Sequence, residues 1–239
     1  MNLLINWING RMGRTIREMA LEDTFWENVH GLSRENSLPR EDIEYHVLLD
    51  FTHPSALANL LKLALDKKLP LVIGTTGYSK GQIEEIKAAS KEIPILYSTN
   101  MSIGMNLMFS LVEEIARKVG NDVDIEIIES HHKRKKDAPS GSAISIAEAI
   151  ERGLGDKRKH QFGRFGQCPR ENGEIGFHSI RGGNIVGYHE ALFIGELETI
   201  KISHEAYDRK VFAKGALEAA KFIIGKEPGL YSMKDVLNI

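Results

Sequence analysis

The sequence holds a single cysteine, Cys168, in 239 residues. No internal disulfide can therefore staple it, and no second thiol, CxxC pair or zinc-type cluster accompanies that residue. A reducing compartment is the expectation. No run of about 18 apolar residues occurs, and the opening Met1-Asn2-Leu3-Leu4-Ile5-Asn6 lacks a basic region ahead of a long apolar one. A cytoplasmic protein with no membrane partner is expected. Net charge is nearly absent, since 31 Lys and Arg stand against 33 Asp and Glu, which argues against nucleic acid as a partner and makes any basic site local. Internal repeats and low-complexity tracts are missing too. What is present is ordinary: 42% hydrophobic and 27% charged residues exclude disordered, collagen-like and coiled-coil classes. At roughly 150 residues per domain, the length suits one large domain or two modest ones.

Short apolar runs alternate with longer amphipathic stretches through the first hundred residues. Leu3 to Trp7 reads as a strand and Met12 to Leu21 as a helix. Further strand-like runs follow at Asn28–Leu32, Tyr45–Asp50, Leu69–Gly74 and Ile93–Ser98, with helix-like segments after the last three. Such alternation predicts a parallel sheet. Pro54 suits the first turn of a helix, and Ser79-Lys80-Gly81-Gln82 has the spacing of a capping box. Beyond Asn100 the pattern changes to a helix reaching about Val119, a β-rich run from Val123 to Glu129, and a helical repeat through Ala143, Ala147, Ile150 and Leu154. Gly155 to Gly173 reads as a long mobile loop. Ile175–Ile180, Ile185–Ile194 and Thr199–Ala206 predict a mixed antiparallel sheet, with Arg181-Gly182-Gly183-Asn184 as a hairpin turn. Phe212, Ala216, Ala219, Ala220 and Ile223 line a last helix, and Pro228-Gly229 breaks it.

Four strand ends in the first half could meet a nucleotide. Trp7-Ile8-Asn9-Gly10-Arg11-Met12-Gly13 holds two of the three glycines a dinucleotide loop wants. Gly10 allows close approach of a pyrophosphate and Gly13 close helix–strand packing. Trp7 fills the first glycine position and would be strained where the turn demands a positive φ. A plain strand–turn–helix fits the same residues. After the second strand, Ser33 and Arg34 could take a 2′-phosphate, which favours NADPH over NADH, although Glu35 next to them could serve a ribose hydroxyl. Gly74-Thr75-Thr76-Gly77 and Ser98-Thr99-Asn100-Met101 end two successive strands on one edge, where open parallel sheets place ligands.

Glu129 to Ser142 is the richest segment: a strand exit, His131-His132-Lys133-Arg134-Lys135-Lys136, and then Ser140-Gly141-Ser142 before a helical pattern. Backbone N–H groups at a helix start can hold a carboxylate, and nearby histidine and lysine can bind a second one or deliver a proton. The same composition also reads as a solvated basic loop. No aromatic interleaving supports nucleic acid, and no third soft ligand is fixed by spacing for a metal.

Taken in order, Gly10-Arg11-Met12-Gly13, Asp50-Phe51-Thr52, Gly74-Thr75-Thr76-Gly77, Asn100-Met101-Ser102, His131-His132 with Lys135, Asp137-Ala138-Pro139-Ser140-Gly141, and Arg181-Gly182-Gly183 through Gly187 and His189 resemble the bacterial dihydrodipicolinate reductase family over essentially the whole chain. The resemblance implies an α/β fold with a Rossmann-like parallel-sheet cofactor domain, residues 1–101 and 212–239. An α+β domain with a mixed sheet, residues 102–211, would bind substrate and form a homotetramer. It implies reduction of the cyclic 4-hydroxy-tetrahydrodipicolinate by NADPH or NADH with loss of water, in lysine and diaminopimelate biosynthesis, and no resident metal. By position, His131 and Lys135 resemble the catalytic histidine and proton donor, and His132, Ser140, Gly141 and Ser142 the substrate contacts. Cofactor contacts would come from Asn9, Gly10, Arg11, Met12, Arg34, Gly74, Thr75, Thr76, Ser98, Thr99, Asn100 and Met101. The chain departs from the family at Trp7, where glycine is usual, at Ser33, where an acid often sits, and at Ser142, where threonine is usual. It departs again at Met101, where an aromatic commonly faces the nicotinamide and a thioether contact is expected instead. Trp7 also leaves open a family member that binds ligands without turnover.

Overall fold

The computed structural model describes residues 1–34 and 37–239, so Glu35, a candidate ribose contact, lies outside the described residues. The chain divides into two compact units, residues 1–103 with 210–239, and residues 104–209. In the first, β1 (Asn2–Asn6), β2 (Asn28–Gly31), β3 (Val47–Asp50), β4 (Leu71–Ile73), β5 (Pro94–Tyr97) and β11 (Gly229–Tyr231) form one parallel sheet in the order β11-β5-β4-β3-β1-β2. Both faces are covered, which is why the strands read as unbroken apolar runs. Leu3, Ile5, Val47 and Leu49 pack under α1 (Arg11–Leu21) and α6 (Lys210–Ile223). Leu4, Leu48, Leu71 and Ile73 pack under α2 (Leu57–Asp66) and α3 (Lys80–Ala89). The capping box forms: Gln82 N–H donates to Ser79 Oγ at 3.3 Å and Ser79 N–H to Gln82 Oε1 at 3.0 Å. Pro54 opens a short 3-10 turn, Pro54–Ala56, that runs into α2. The Pro228-Gly229 break leads into β11 and the short α7 (Met233–Leu237). Strand order reverses between β1 and β3, and a ligand crevice in such a sheet lies at the carboxyl ends of those strands.

The second unit pairs α4 (Ile103–Val119) and α5 (Gly141–Leu154) with β6 (Asp124–His131), β7 (His160–Phe162), β8 (Ile175–Arg181), β9 (Gly187–Ile194) and β10 (Thr199–Ala206) in the order β10-β9-β6-β8-β7. Met105, Met108, Ile146 and Ile150 of the helices meet Ile125, Ile127, Phe177 and Phe193 of the sheet. Three expectations need correction. Arg181 to Asn184 is not a hairpin turn, because β6 lies between β8 and β9, parallel to the first and antiparallel to the second. The connection instead bonds to the end of β6, with Gly182 N–H on His131 O at 3.0 Å and Lys133 N–H on Gly183 O at 3.3 Å. That pairing carries β6 through His131, two residues past Glu129 where the apolar pattern stops. The Gly155–Gly173 stretch is not a bare mobile loop either: it contains β7, and its flank is pinned where Arg170 Nε meets Asp124 at 2.7 Å and Arg164 meets the buried Glu174.

Candidate active site

Glu129 and His131 are two residues apart on β6 and so face the same way. The Glu129 side chain is completely buried and is surrounded by donors: His131 Nδ1 at 2.6 Å, Arg181 Nη1 and Nη2 at 2.8 and 2.6 Å, and the Ser140 N–H at 3.2 Å. Arg181 arrives because it is the β8 partner of His131 in register, and His189 arrives as the β9 partner of Glu129. Burial alone would push the Glu129 carboxyl up, but the hydrogen bonds from His131 and Arg181 outweigh it and hold the group well below the usual carboxylate range. His189 has no carboxylate partner. Its Nε2 lies 2.9 Å from Ser140 Oγ, and burial, then the neighbouring His131, push it down to about 3.

The basic segment leaves β6 directly after His131. Lys135 Nζ pairs with Asp137 Oδ2 at 2.8 Å, and the Lys135 N–H donates to His132 O at 3.0 Å. Burial would raise Asp137, but the Lys135 ammonium prevails and lowers it. His132 is lowered by burial, with Arg134 and Arg209 adding repulsion against its charged form. Ser140 caps α5, its Oγ accepting from Ala143 N–H at 3.2 Å. Its own N–H is taken by Glu129 and the residue is 2% exposed, so the expected substrate contact by Ser140 gives way to a role in shaping the turn. Gly141 is different: a Cβ built there would meet nothing within 4 Å, leaving open space at the helix start.

In the first unit Gly10 caps α1 from extended backbone with no side-chain hydrogen bond, so the N–H groups at the start of the helix, carried by Arg11, Met12 and Gly13, stay available to an anion. Trp7 occupies the turn at φ +60, the left-handed region that glycine would fill without strain. A Cβ on Gly13 would come within 2.5 Å of Trp7 O, which is why that position must be glycine. A cavity of about 480 Å³ beside the loop is lined by Trp7, Ser33, Arg34, Asn59 and Leu63 among others. These features fit a dinucleotide. Gly74 sits so close to the Phe51 ring that a Cβ would fall 2.3 Å from it, and Thr76 is exposed.

Two side chains of these strand ends are turned to internal packing. Thr75 is 4% exposed and its hydroxyl donates to Asp50 Oδ2 at 2.6 Å, so its side chain serves a buried network rather than a ligand. Asn6 and Thr52 bond the other oxygen of Asp50 at 2.7 and 2.8 Å. Met101 is 2% exposed in the core with Leu3, Ile5 and Ala216, so its thioether is turned inward, away from any cofactor ring. Ser98 Oγ donates to Asn100 O at 2.7 Å and shapes its own loop, while Thr99 is exposed. Sequence reasoning assigned no role to Glu129, Arg181 or His189. The Glu-x-His spacing on a strand was the one local signal for the first of them.

A parallel sheet with an uncapped glycine-started helix at its switch point, in one chain with a cationic turn carrying imidazoles and a lysine, fits a nicotinamide-nucleotide-dependent oxidoreductase, the class to which the relatives of this chain belong. The chain belongs to the dihydrodipicolinate reductase family, whose N-terminal and C-terminal models match residues 1–101 and 104–237. A 4-hydroxy-tetrahydrodipicolinate reductase of Alkaliphilus oremlandii is 62% identical over 100% of this chain and 99% of its own. The enzyme of that name from Caldanaerobacter subterraneus is 46% identical over 98% and 97%. A solved dipicolinate-bound dihydrodipicolinate reductase from Paenisporosarcina shares the fold, with TM-score 0.78 at 23% identity over 98% of each chain.

Proposed function

We propose that the protein reduces 4-hydroxy-tetrahydrodipicolinate to tetrahydrodipicolinate with loss of water, using NADPH in preference to NADH, in lysine and diaminopimelate biosynthesis. The observation that carries this reading is that one buried carboxylate, Glu129, holds both the His131 imidazole and the first turn of α5. A cyclic dicarboxylate needs cations and the donors of a helix start, and the His132, Lys135 and Gly141 segment supplies both. One carboxylate of the substrate lies at the start of α5, at Gly141 and Ser142, and the second is met by His132.

Loss of water first gives dihydrodipicolinate, which then takes up a hydride and a proton. When bound, NADPH or NADH supplies the hydride. The carbon that gains negative charge is protonated from Lys135 Nζ, which Asp137 holds at 2.8 Å until substrate arrives. Arg11, Met12 and Gly13 N–H groups receive the pyrophosphate, and Ser33 and Arg34 favour a 2′-phosphate. Asn9, Gly74, Thr76, Ser98, Thr99 and Asn100 line the cofactor's remaining length, with Met101 reaching it through its backbone alone. We assign the substrate role and assembly into a homotetramer to the unit of residues 104–209.

The test is loss of NADPH or NADH absorbance with freshly generated 4-hydroxy-tetrahydrodipicolinate in a coupled reaction. Substrate-dependent oxidation, faster with NADPH, is expected. A folded sample that oxidises neither would favour a ligand-binding family member, the reading that Trp7 at φ +60 in the cofactor loop supports.

A further inference from the structure

We propose that Glu129 is a positioning residue that decides which nitrogen of His131 does chemistry: the carboxylate takes the Nδ1 proton and leaves Nε2 as the working atom, with Arg181 anchoring the carboxylate. The inference rests on His131 being the catalytic imidazole. It starts from saturation. Glu129 accepts from His131, from both Arg181 terminal nitrogens and from the Ser140 N–H, and it is fully buried. An ionised carboxylate only accepts, so the imidazole nitrogen at 2.6 Å must carry hydrogen. A neutral imidazole has one N–H, which leaves Nε2 bare; a second proton, when His131 holds one, can go nowhere else.

A Cβ on Gly187 would stand 3.3 Å from Nε2, a tight contact that the ring meets only by shifting a few tenths of an ångström, so glycine at this β9 position leaves Nε2 more room. Around His131 stand Glu129 on its own strand, Arg181 as its register partner on β8 and His189 on β9, and the segment that follows it carries the Lys135–Asp137 pair. The His189 ring lies 5.1 Å from that of His131, edge to face. The two imidazoles have been given opposite surroundings: His131 has a carboxylate, while His189 has a hydroxyl and is dehydrated. Only one of them is equipped to carry charge.

A merely structural Glu129, stapling β6 to β8 and α5, predicts something else: lower melting temperature with unaltered chemistry per folded molecule. Glu129→Gln and Glu129→Asp separate the two. With a positioning role, Glu129→Gln lowers kcat by roughly 10²-fold or more and changes the shape of the kcat–pH profile. KM and NADPH affinity, read by calorimetry, stay within a few-fold, and Glu129→Asp recovers part of the loss. Gly187→Ala, which crowds Nε2 without touching Glu129, should also lower kcat. Nitrogen-15 histidine spectra of the unliganded protein, with the His131 signal assigned by its loss in His131→Gln, should show hydrogen on Nδ1. A bare Nδ1 in the wild type, or Glu129→Gln with wild-type kcat and pH profile, would overturn the proposal. If Glu129→Gln does not fold, the wild-type spectrum and Gly187→Ala decide. Should the wild type fail to oxidise NADPH, the functional reading falls, while the spectrum still judges Glu129.

Discussion

The Arg34 guanidinium lies 5.5 Å from the centre of the Trp7 indole, a cation over an aromatic face at the mouth of the cofactor loop. The same ring comes so close to Gly10 that a Cβ there would be 2.8 Å from Trp7 Cδ1. It therefore packs against the Gly10 N-cap of α1, beside the N–H groups that would receive a pyrophosphate. Trp7→Gly should relieve about 1–2 kcal/mol of left-handed backbone strain and clear the helix start, so NADPH should bind several-fold more tightly by calorimetry. Unchanged affinity would mean that the loop has adapted around the indole.

Lys135→Ala should reduce turnover about 10²- to 10⁴-fold if its ammonium is the general acid. Cofactor affinity should hardly move, because Lys135 and its partner Asp137 both lie in the second unit. Wild-type turnover in this variant would remove Lys135 from the chemistry.

Acid should destabilise the second unit in two stages. His189 is pushed down to about 3 by burial and by His131. Below the ordinary histidine range near pH 6.5 the unfolded chain takes up a proton that the folded one refuses. Stability therefore falls from about pH 6.5 downward, at a limiting slope of roughly 1.4 kcal/mol per pH unit. Glu129 is held below its ordinary value of 4.5, so its contribution is complete above that pH and is lost as pH drops further. Melting temperature measured from pH 7.5 to 4 should decline and then steepen. His189→Asn should flatten the upper part, and a flat wild-type profile between pH 6.5 and 5 would contradict the assignment.

Asp50→Ala should cost about 2–4 kcal/mol. It strips the acceptor from the Asn6 amide and the Thr52 and Thr75 hydroxyls, three donors gathered at the ends of β1, β3 and β4. Thr75→Val, removing one donor, should cost about 1 kcal/mol. Chemical denaturation reads both. Equal stability of Asp50→Ala and wild type would show that water replaces the carboxylate freely.

Much was legible in the chain itself, because the signals are local. The apolar run Leu3–Ile5, the glycines at 10 and 13, the Ser79–Gln82 capping box and the helical repeat from Ala143 each express a rule that acts within a few residues. The motifs around His131 and Gly74 likewise marked the correct strand ends. Trp7 declared its own strain, since a turn built for glycine imposes its φ on any occupant.

Other features depended on residues far apart in sequence. Insertion of β6 between β8 and β9 converted an apparent hairpin into a crossover, and that same register brought Arg181 and His189 to Glu129. Burial then reassigned side chains whose chemical type had been read correctly: Ser140 and Thr75 spend their hydroxyls on internal partners, and Met101 fills the core. The sequence by itself determined the element types, the parallel sheet and the family; tertiary structure decided which polar groups remain free to meet a ligand. The physical reason is that periodicity and capping are short-range, whereas hydrogen-bond satisfaction in a buried site is settled only when distant strands pair and exclude water.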